Sequence, residues 1–311
     1  MPSYPTNIKP LPRVAILLST RDGAKYLVKQ LESLIYQLQV QVHVFWSDDG
    51  SKDHTVSIVN SFKTKLCLNP LELPLDHHPG DHFLRLLYQV PKDYDYYAFC
   101  DQDDIWLPNK LNRAIQKLIE YQCDLYGSRT QLIDEEDSYL QKSMNFSKPP
   151  SFQNALVQSI AGGNTMVWTN KLHQKISDNQ VTHVPSHDWW IYLFSSFMGF
   201  SMYYDRKAFI LYRQHSKNTV GANLGAINQL KRIFLGLRGR YKDWNSLHKK
   251  FIDQHLYLGT KENVIDYYFF QSSRLDWNPI NRIKNLDRSK VYRQTLQGKI
   301  SLFFATMLYL T

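Results

Sequence analysis

Between residues 14 and 119 the chain alternates two hydrophobic periods, and this alternation narrows the available folds more than any other feature. VAILLS (14–19) is a short apolar run of buried-strand length, Leu27, Leu31, Leu34, Ile35 and Leu38 share one helical face within residues 24–38, and VHVFW (42–46) is a second strand. That order is a βαβ unit of an α/β protein. HTVSIVNSF continues as a helix, and YYAFC (96–100) is a third strand. Pro108 then stands where a first helical turn tolerates it, opening a helix that brings Leu111, Ala114, Ile115, Leu118 and Ile119 together.

YYAFC ends in DQDD, with Asp101, Asp103 and Asp104 within four positions. Like charges so close repel and raise one another's pKa unless a positive group lies between them. Mn²⁺ or Mg²⁺ accepts oxygen ligands from one or two carboxylates, with substrate phosphates completing the shell, so Asp101 and Asp103 are candidate ligands for a cation shared with a diphosphate. The alternative is a solvated acidic loop in which Asp104 caps the next helix. In open α/β sheets ligands gather outside the carboxyl ends of strands, where STRDG, SDDGSKD and DQDD all fall. Neither GxGxxG nor GxxxxGK[ST] occurs, which disfavours a dinucleotide or P-loop fold.

In SDDGSKD a turn and a helix cap account for Gly50, Ser51 and Asp53, whereas two consecutive acids exceed what a turn requires and leave Asp49 for a ribose or base edge. His187 and Asp188 open HDWW as a helix cap, or as a general base whose pKa the apolar Trp189 and Trp190 would raise. Tryptophan faces also suit sugar rings. His215 in YRQHSKN is a structural histidine or a further metal ligand beside the acidic loop, with Arg213 nearby for a phosphate.

VAILLSTRDGAKYL, SDDGSKD, FCDQDDIWLPNKL, AGGNTMVW, HDWW and YRQHSKNTVG together resemble, in order and spacing over residues 13–224, the family 2 glycosyltransferases of GT-A fold, and among them the bacterial rhamnosyltransferases of surface polysaccharide synthesis. The resemblance implies a mixed, mostly parallel sheet flanked by helices. It implies that Thr20, Arg21 and Asp49 hold the nucleoside, that Asp101 and Gln102 contact the donor, that Asp101, Asp103 and His215 bind the divalent cation, and that Asp188 is the catalytic base. Gly162 and Gly163 match a loop near acceptor and donor sugar. Arg21 stands where relatives often carry an aromatic, and HHPGDHFLRLL is short against the family's stretch, so no role is carried over from it.

The activity expected is an inverting, metal-dependent transfer from a nucleotide sugar, dTDP-rhamnose by resemblance with UDP-hexose or UDP-N-acetylhexosamine as the alternative, to a polysaccharide or lipid-diphosphate-linked oligosaccharide. Hydrolysis by the same carboxylates is a rival, and a non-catalytic binding module is another. Residues 225–311 hold 15 Lys or Arg against 6 Asp or Glu, the entire formal charge of +9, while residues 1–224 balance. The expected organisation is therefore a catalytic domain at 1–224 and a basic helical region at 225–311. There Leu230, Phe234, Leu237, Tyr241, Trp244 and Phe251 form a stripe interrupted at His248. The stripe could settle on an anionic membrane surface, pack on the catalytic unit, or pair with a second copy; nucleic acid is not an expected partner. Three unclustered cysteines, an N-terminus without a secretory apolar core and no uncharged stretch long enough to cross a bilayer give a cytoplasmic expectation, at most peripheral on the membrane.

Overall fold

The computed structural model of the protein describes residues 10–76, 78–215 and 240–308, with side chains from 246 onward in the last segment. Nine strands form one sheet among the described residues: β1 (Arg13–Thr20), β2 (Gln41–Asp48), β3 (Cys67–Pro70), β4 (Tyr96–Cys100), β5 (Ile105–Trp106), β6 (Leu125–Ile133), β7 (Tyr139–Lys142), β8 (Val167–Thr169) and β9 (Met202–Arg213). Their order is β3-β2-β1-β4-β8-β6-β9-β5, with β7 beside β6. β3, β2, β1 and β4 are parallel, β8 runs antiparallel between β4 and β6, and β6 and β9 are parallel again. The sheet is thus mixed and mostly parallel.

Alternation along β1 shows how the strands are buried on both faces. Val14, Ile16 and Leu18 pack with Leu27, Leu31 and Leu34 of α1 (Leu27–Ile35), Val59 of α2 (Thr55–Ser61), and Leu111, Ala114 and Ile115 of α4 (Lys110–Glu120). Ala15 and Leu17 face the other layer, with Phe83 and Leu87 of α3 (Pro79–Gln89), Leu172 of α6 (Asn170–Asp178), and Trp190 and Phe194 of α7 (His187–Phe197). Between β8 and β6 in the chain, α5 (Phe152–Ala155) supports α7. Leu38 lies past the end of α1 and is exposed, and Ile119 faces solvent although four members of its expected stripe are buried.

FSMYY (200–204) and AFILY (208–212), two short strand-like runs in the sequence, belong to one twelve-residue β9 that begins at Met202. Its pairing with β6 shifts between Ser128 and Arg129, where Asp205 and Ala208 become successive partners, so Arg206 and Lys207 are extra residues that interrupt the alternation. Gly199 ends α7 with φ +85° while the Phe200 N–H reaches back to the Ser195 carbonyl at 3.0 Å, a left-handed helix stop.

The last segment contains α8 (Arg240–Gln254), α9 (Lys261–Leu275), α10 (Pro279–Arg288) and α11 (Leu296–Met307). Leu230, Phe234, Leu237 and the expected boundary after residue 224 lie outside the described residues, as do the side chains of Tyr241 and Trp244. The rest of the stripe packs on α7: Phe251 lies 5.1 Å from Phe194 and 5.8 Å from Trp190 between ring centroids. His248, the interruption in the stripe, is itself buried 5.0 Å from Trp189, and burial pulls its pKa down to about 4. Asn263 Nδ2 donates to the carbonyls of Ser196 and Phe197 at 2.8 and 3.0 Å, satisfying the last turn of α7 from α9.

Removing the Phe251 ring leaves a cavity among those aromatics. Phe251→Ala should cost about 3–5 kcal/mol in urea unfolding, against less than about 0.5 kcal/mol for Phe304→Ala on the exposed side of α11. Equal, small losses would place α8 off the core.

Candidate active site

Parallel register sets the carboxyl ends of β1, β2 and β4 side by side, Thr20 opposite Asp48 and Leu18 opposite Cys100. The three loops that follow are bound to one another. The Gln102 side chain bridges to the Arg21 backbone, accepting its N–H at 2.9 Å and donating to its carbonyl at 2.8 Å. Gly23 makes that approach possible, since a Cβ there would lie 2.1 Å from Gln102 Oε1. Asp22 adopts φ +46° and accepts the Lys52 N–H at 2.8 Å, while Asp53 accepts the Ala24 N–H at 3.1 Å. Asp48 closes the SDDGSKD turn by accepting the Ser51 N–H at 2.7 Å, which leaves Asp49 as the acid beyond the turn's needs. Asp49 is nearly fully buried, accepts the Asp76 N–H at 2.8 Å and lies 3.5 Å from Arg21 Nη1. Thr20 is buried, and its hydroxyl donates to Asp48 Oδ1 at 2.9 Å rather than facing an open cleft.

The acids of DQDD separate into distinct environments. Asp104 is fully buried and caps no helix: it accepts from Asn164 Nδ2 at 2.6 Å and from the Arg213 N–H at 3.3 Å. Asp103 Oδ2 lies 2.8 Å from His215 Nε2, and that imidazole stacks on Tyr26 at 5.2 Å. Burial, then the like charges of Asp103 and Asp188, hold the Asp101 carboxyl above the ordinary carboxylate range. Lys110 opposes them. Its Nζ lies buried 3.2 Å above the Trp106 ring centroid with no hydrogen-bond acceptor among the described residues, and burial brings its pKa down to about 7.

Asp188 opens α7, where a carboxylate is favoured by the helix dipole. Its Oδ2 accepts the Gly163 N–H at 3.2 Å, and its Oδ1 accepts from the Ser186 hydroxyl and, at 2.6 Å, from the Trp189 N–H. Gly163 must be small: a Cβ would lie 2.3 Å from Nε2 of His187, whose half-buried ring stacks on Phe83 at 4.4 Å. The structure therefore joins the Gly162–Gly163 turn to Asp188, and Asp188 to the charge field of Asp101.

Two placements differ from expectation. Trp189 and Trp190 are buried in the core, Trp189 Nε1 donating to the Ala155 carbonyl at 2.6 Å and Trp190 stacking on Phe194 at 5.0 Å. They pack the helix that carries Asp188 and present no open face to a sugar. Arg213 is likewise buried, donating to the carbonyls of Asp103, Asp134 and Glu135 at 3.0, 3.0 and 3.2 Å and pairing with Asp137 at 2.5 Å. Its guanidinium braces the acidic loop instead of aiming at a diphosphate.

Lys110 and Asn164 were not among the residues expected at the site. Lys110 was legible, because it sits one turn before Ala114 on the otherwise apolar buried stripe of α4. Asn164 was not: nothing in AGGNTMVW marks its amide as the partner of an acid 60 residues earlier. A cavity of about 270 Å³ lies away from these loops, between α5, the end of α7 and the start of α9. Two carboxylates and an imidazole, with a further acid beside them and Lys110 as their opposing charge, form a donor set that fits a divalent cation. Asp101, Asp103 and His215 nevertheless do not converge on one point; among the described residues the three-ligand grouping is His78, Asp81 and His183.

Residues 15–199 match the Glycosyl transferase family 2 profile. The chain is 31% identical over 233 residues to dTDP-rhamnosyl transferase RfbG of Shigella flexneri, covering 70% of this chain and 78% of that protein. It is 22% identical over 230 residues to GalNAc(5)-diNAcBac-PP-undecaprenol beta-1,3-glucosyltransferase of Campylobacter jejuni, covering 73% and 72%. The fold superposes on S. aureus TarS 1-349 in complex with UDP with a TM-score of 0.54 at 16% identity, covering 89% of each chain. It superposes on mannosyltransferase PcManGT of Pyrobaculum calidifontis in complex with GDP-Man and Mn²⁺ with a TM-score of 0.52 at 14% identity, covering 97% and 86%.

The raised pKa of Asp101 has a definite sign. Between its unfolded value near 3.9 and the higher folded value, the native state binds more protons than the unfolded state, so this group makes metal-free protein less stable as pH rises. Asp101→Asn should remove that decline. Melting temperatures in chelator at pH 5 and pH 8 should fall less for Asp101→Asn than for the unaltered chain, and parallel falls would show that Asp101 is not held protonated.

Proposed function

The chain belongs to glycosyl transferase family 2, and on that premise we propose that it transfers rhamnose from dTDP-rhamnose, with inversion, to a hydroxyl of a growing polysaccharide or lipid-diphosphate-linked oligosaccharide. The observation that carries this reading is the Asp188 carboxylate, fixed by the Gly163 N–H and Ser186 hydroxyl within the charge field of Asp101. The acceptor oxygen attacks the anomeric carbon as the bond from that carbon to the diphosphate breaks. Its proton passes to Asp188, and the nucleoside diphosphate leaves with the bonding pair. A Mn²⁺ or Mg²⁺ held by Asp101, Asp103 and His215 would supply Lewis-acid stabilisation to the departing phosphoryl oxygens. In this reading Asp49 and Arg21, 3.5 Å apart, would hold the nucleoside, and Gln102, which accepts the Arg21 N–H, would join that loop to the diphosphate end. Rhamnose rests on the similarity to the Shigella flexneri protein; a UDP-linked hexose or N-acetylhexosamine is the second reading.

The same proposal places the protein at the cytoplasmic face of the membrane. Among the described residues no helix is long and apolar enough to cross a bilayer. Ile300 and Phe304 of α11 and the following Leu308 are exposed, and Lys299 lies beside them. An apolar helix face with a basic neighbour suits the interface of an anionic bilayer, where a lipid-linked acceptor would be presented.

Asp188→Asn should lower transfer about 10²- to 10⁴-fold while leaving the dissociation constant for dTDP-rhamnose nearly unchanged, as read by calorimetry with Mn²⁺. Equal loss of donor binding would assign Asp188 to structure, and tighter binding of UDP sugars than of dTDP-rhamnose would favour the second reading. Flotation with anionic liposomes at low salt should carry the protein upward; its absence would leave α11 to a second copy of the chain.

A further inference from the structure

We propose that His78, Asp81 and His183 form a second metal site, for a borderline cation of the Zn²⁺ class, that clasps the segment leading into α7 onto the start of α3. It is separate from the acidic loop and does not depend on the sugar assigned to the enzyme.

Each of the three residues offers one ligand atom, and the three atoms lie within 4.8 Å of one another. Asp81 Oδ2 is 3.2 Å from His78 Nδ1 and 2.6 Å from His183 Nδ1. Adjacent ligands of tetrahedral zinc, with bonds of about 2.0–2.2 Å, stand about 3.3–3.6 Å apart. The cluster reaches that spacing by a small outward shift of one exposed imidazole.

The surrounding chain holds the ligands from separate directions. His78 precedes α3 with extended backbone, and Pro79 fixes the first helical position behind it. The other oxygen of Asp81 accepts the Val184 N–H at 3.0 Å, which aims Oδ2 at both rings. Gly80 leaves the space they occupy, since a Cβ there would lie 3.1 Å from His78 Cε1 and 3.4 Å from the Val184 carbonyl. A helix cap alone would need only one of the imidazoles, and the capping contact from Asp81 N–H to His78 Nδ1 is long at 3.4 Å. Two nitrogens and one oxygen select zinc-like ions over magnesium, which takes oxygen ligands.

The clasp has consequences for the site. His78 ends the segment in which the Asp76 N–H engages Asp49, and His183 stands five residues before Asp188. A bound ion would tie the nucleoside side to the helix that carries the candidate base, making the order of residues 181–186 metal-dependent.

The test uses the full chain carrying Asp101→Asn and Asp103→Asn, so that the acidic loop does not compete, with Co²⁺ as a spectroscopic probe. One equivalent should give the intense visible absorption of tetrahedral Co²⁺, displaced by Zn²⁺. His183→Gln and His78→Asn, which keeps a capping acceptor before α3, should each weaken Co²⁺ at least tenfold and abolish the band, with both variants still unfolding cooperatively in chelator. A saturated sample without the band, or a band that survives both substitutions, would overturn the proposal.

Discussion

Burial of mutually repelling carboxylates at the end of β4 is the constraint to which the rest of this structure answers. Three acids within four residues cannot all be buried and ionised without compensation. The chain answers each separately: Asp104 receives the Asn164 amide and a backbone N–H, Asp103 faces His215, and Asp101 is opposed by the charge of the desolvated Lys110. Satisfying Asp104 draws β8's leading turn and the end of β9 to the same point, so the acidic loop also fixes which strands meet there. Asp101, the least compensated, is left where a cation would relieve it most.

The two sides of the candidate site are coupled through small residues rather than through large contacts. Gly23 admits Gln102 and thereby ties the loop after β1 to the loop after β4, while Gly163 admits His187 and sets its own N–H against Asp188. Around them the aromatic packing of α7, including Trp189, Trp190 and Phe194, holds the candidate base on a rigid element. Rigid support of this kind is what orientation-dependent catalysis requires. α8 and α9 extend the support from outside, by packing Phe251 on α7 and by capping its last carbonyls.

Much of this arrangement is written locally. The βαβ period, the strand before DQDD and the left-handed stop at Gly199 follow from spacing and residue type, which act over a few positions. Residues 13–224 also resemble a family whose profile matches residues 15–199, so the GT-A architecture was legible as a whole. What escaped were side-chain directions set by distant partners. Trp189 and Trp190 read as a sugar platform because tryptophan serves both purposes, and only the helices packed above them decide for the core. Arg213 read as a phosphate ligand for the same reason, until three carbonyls and Asp137 claimed it. The irregularity in β9 depends on its register with β6, which no local pattern encodes.

The central claim is that the acids ending β4 are kept close and underprotected so that they share a cation with a diphosphate. Electron paramagnetic resonance of Mn²⁺ titrated into the protein with and without a nucleoside diphosphate tests it most directly. The account predicts that the diphosphate tightens Mn²⁺ binding in the unaltered chain and fails to do so once Asp103→Asn is introduced. Mn²⁺ affinity that ignores both the nucleotide and the substitution would contradict it.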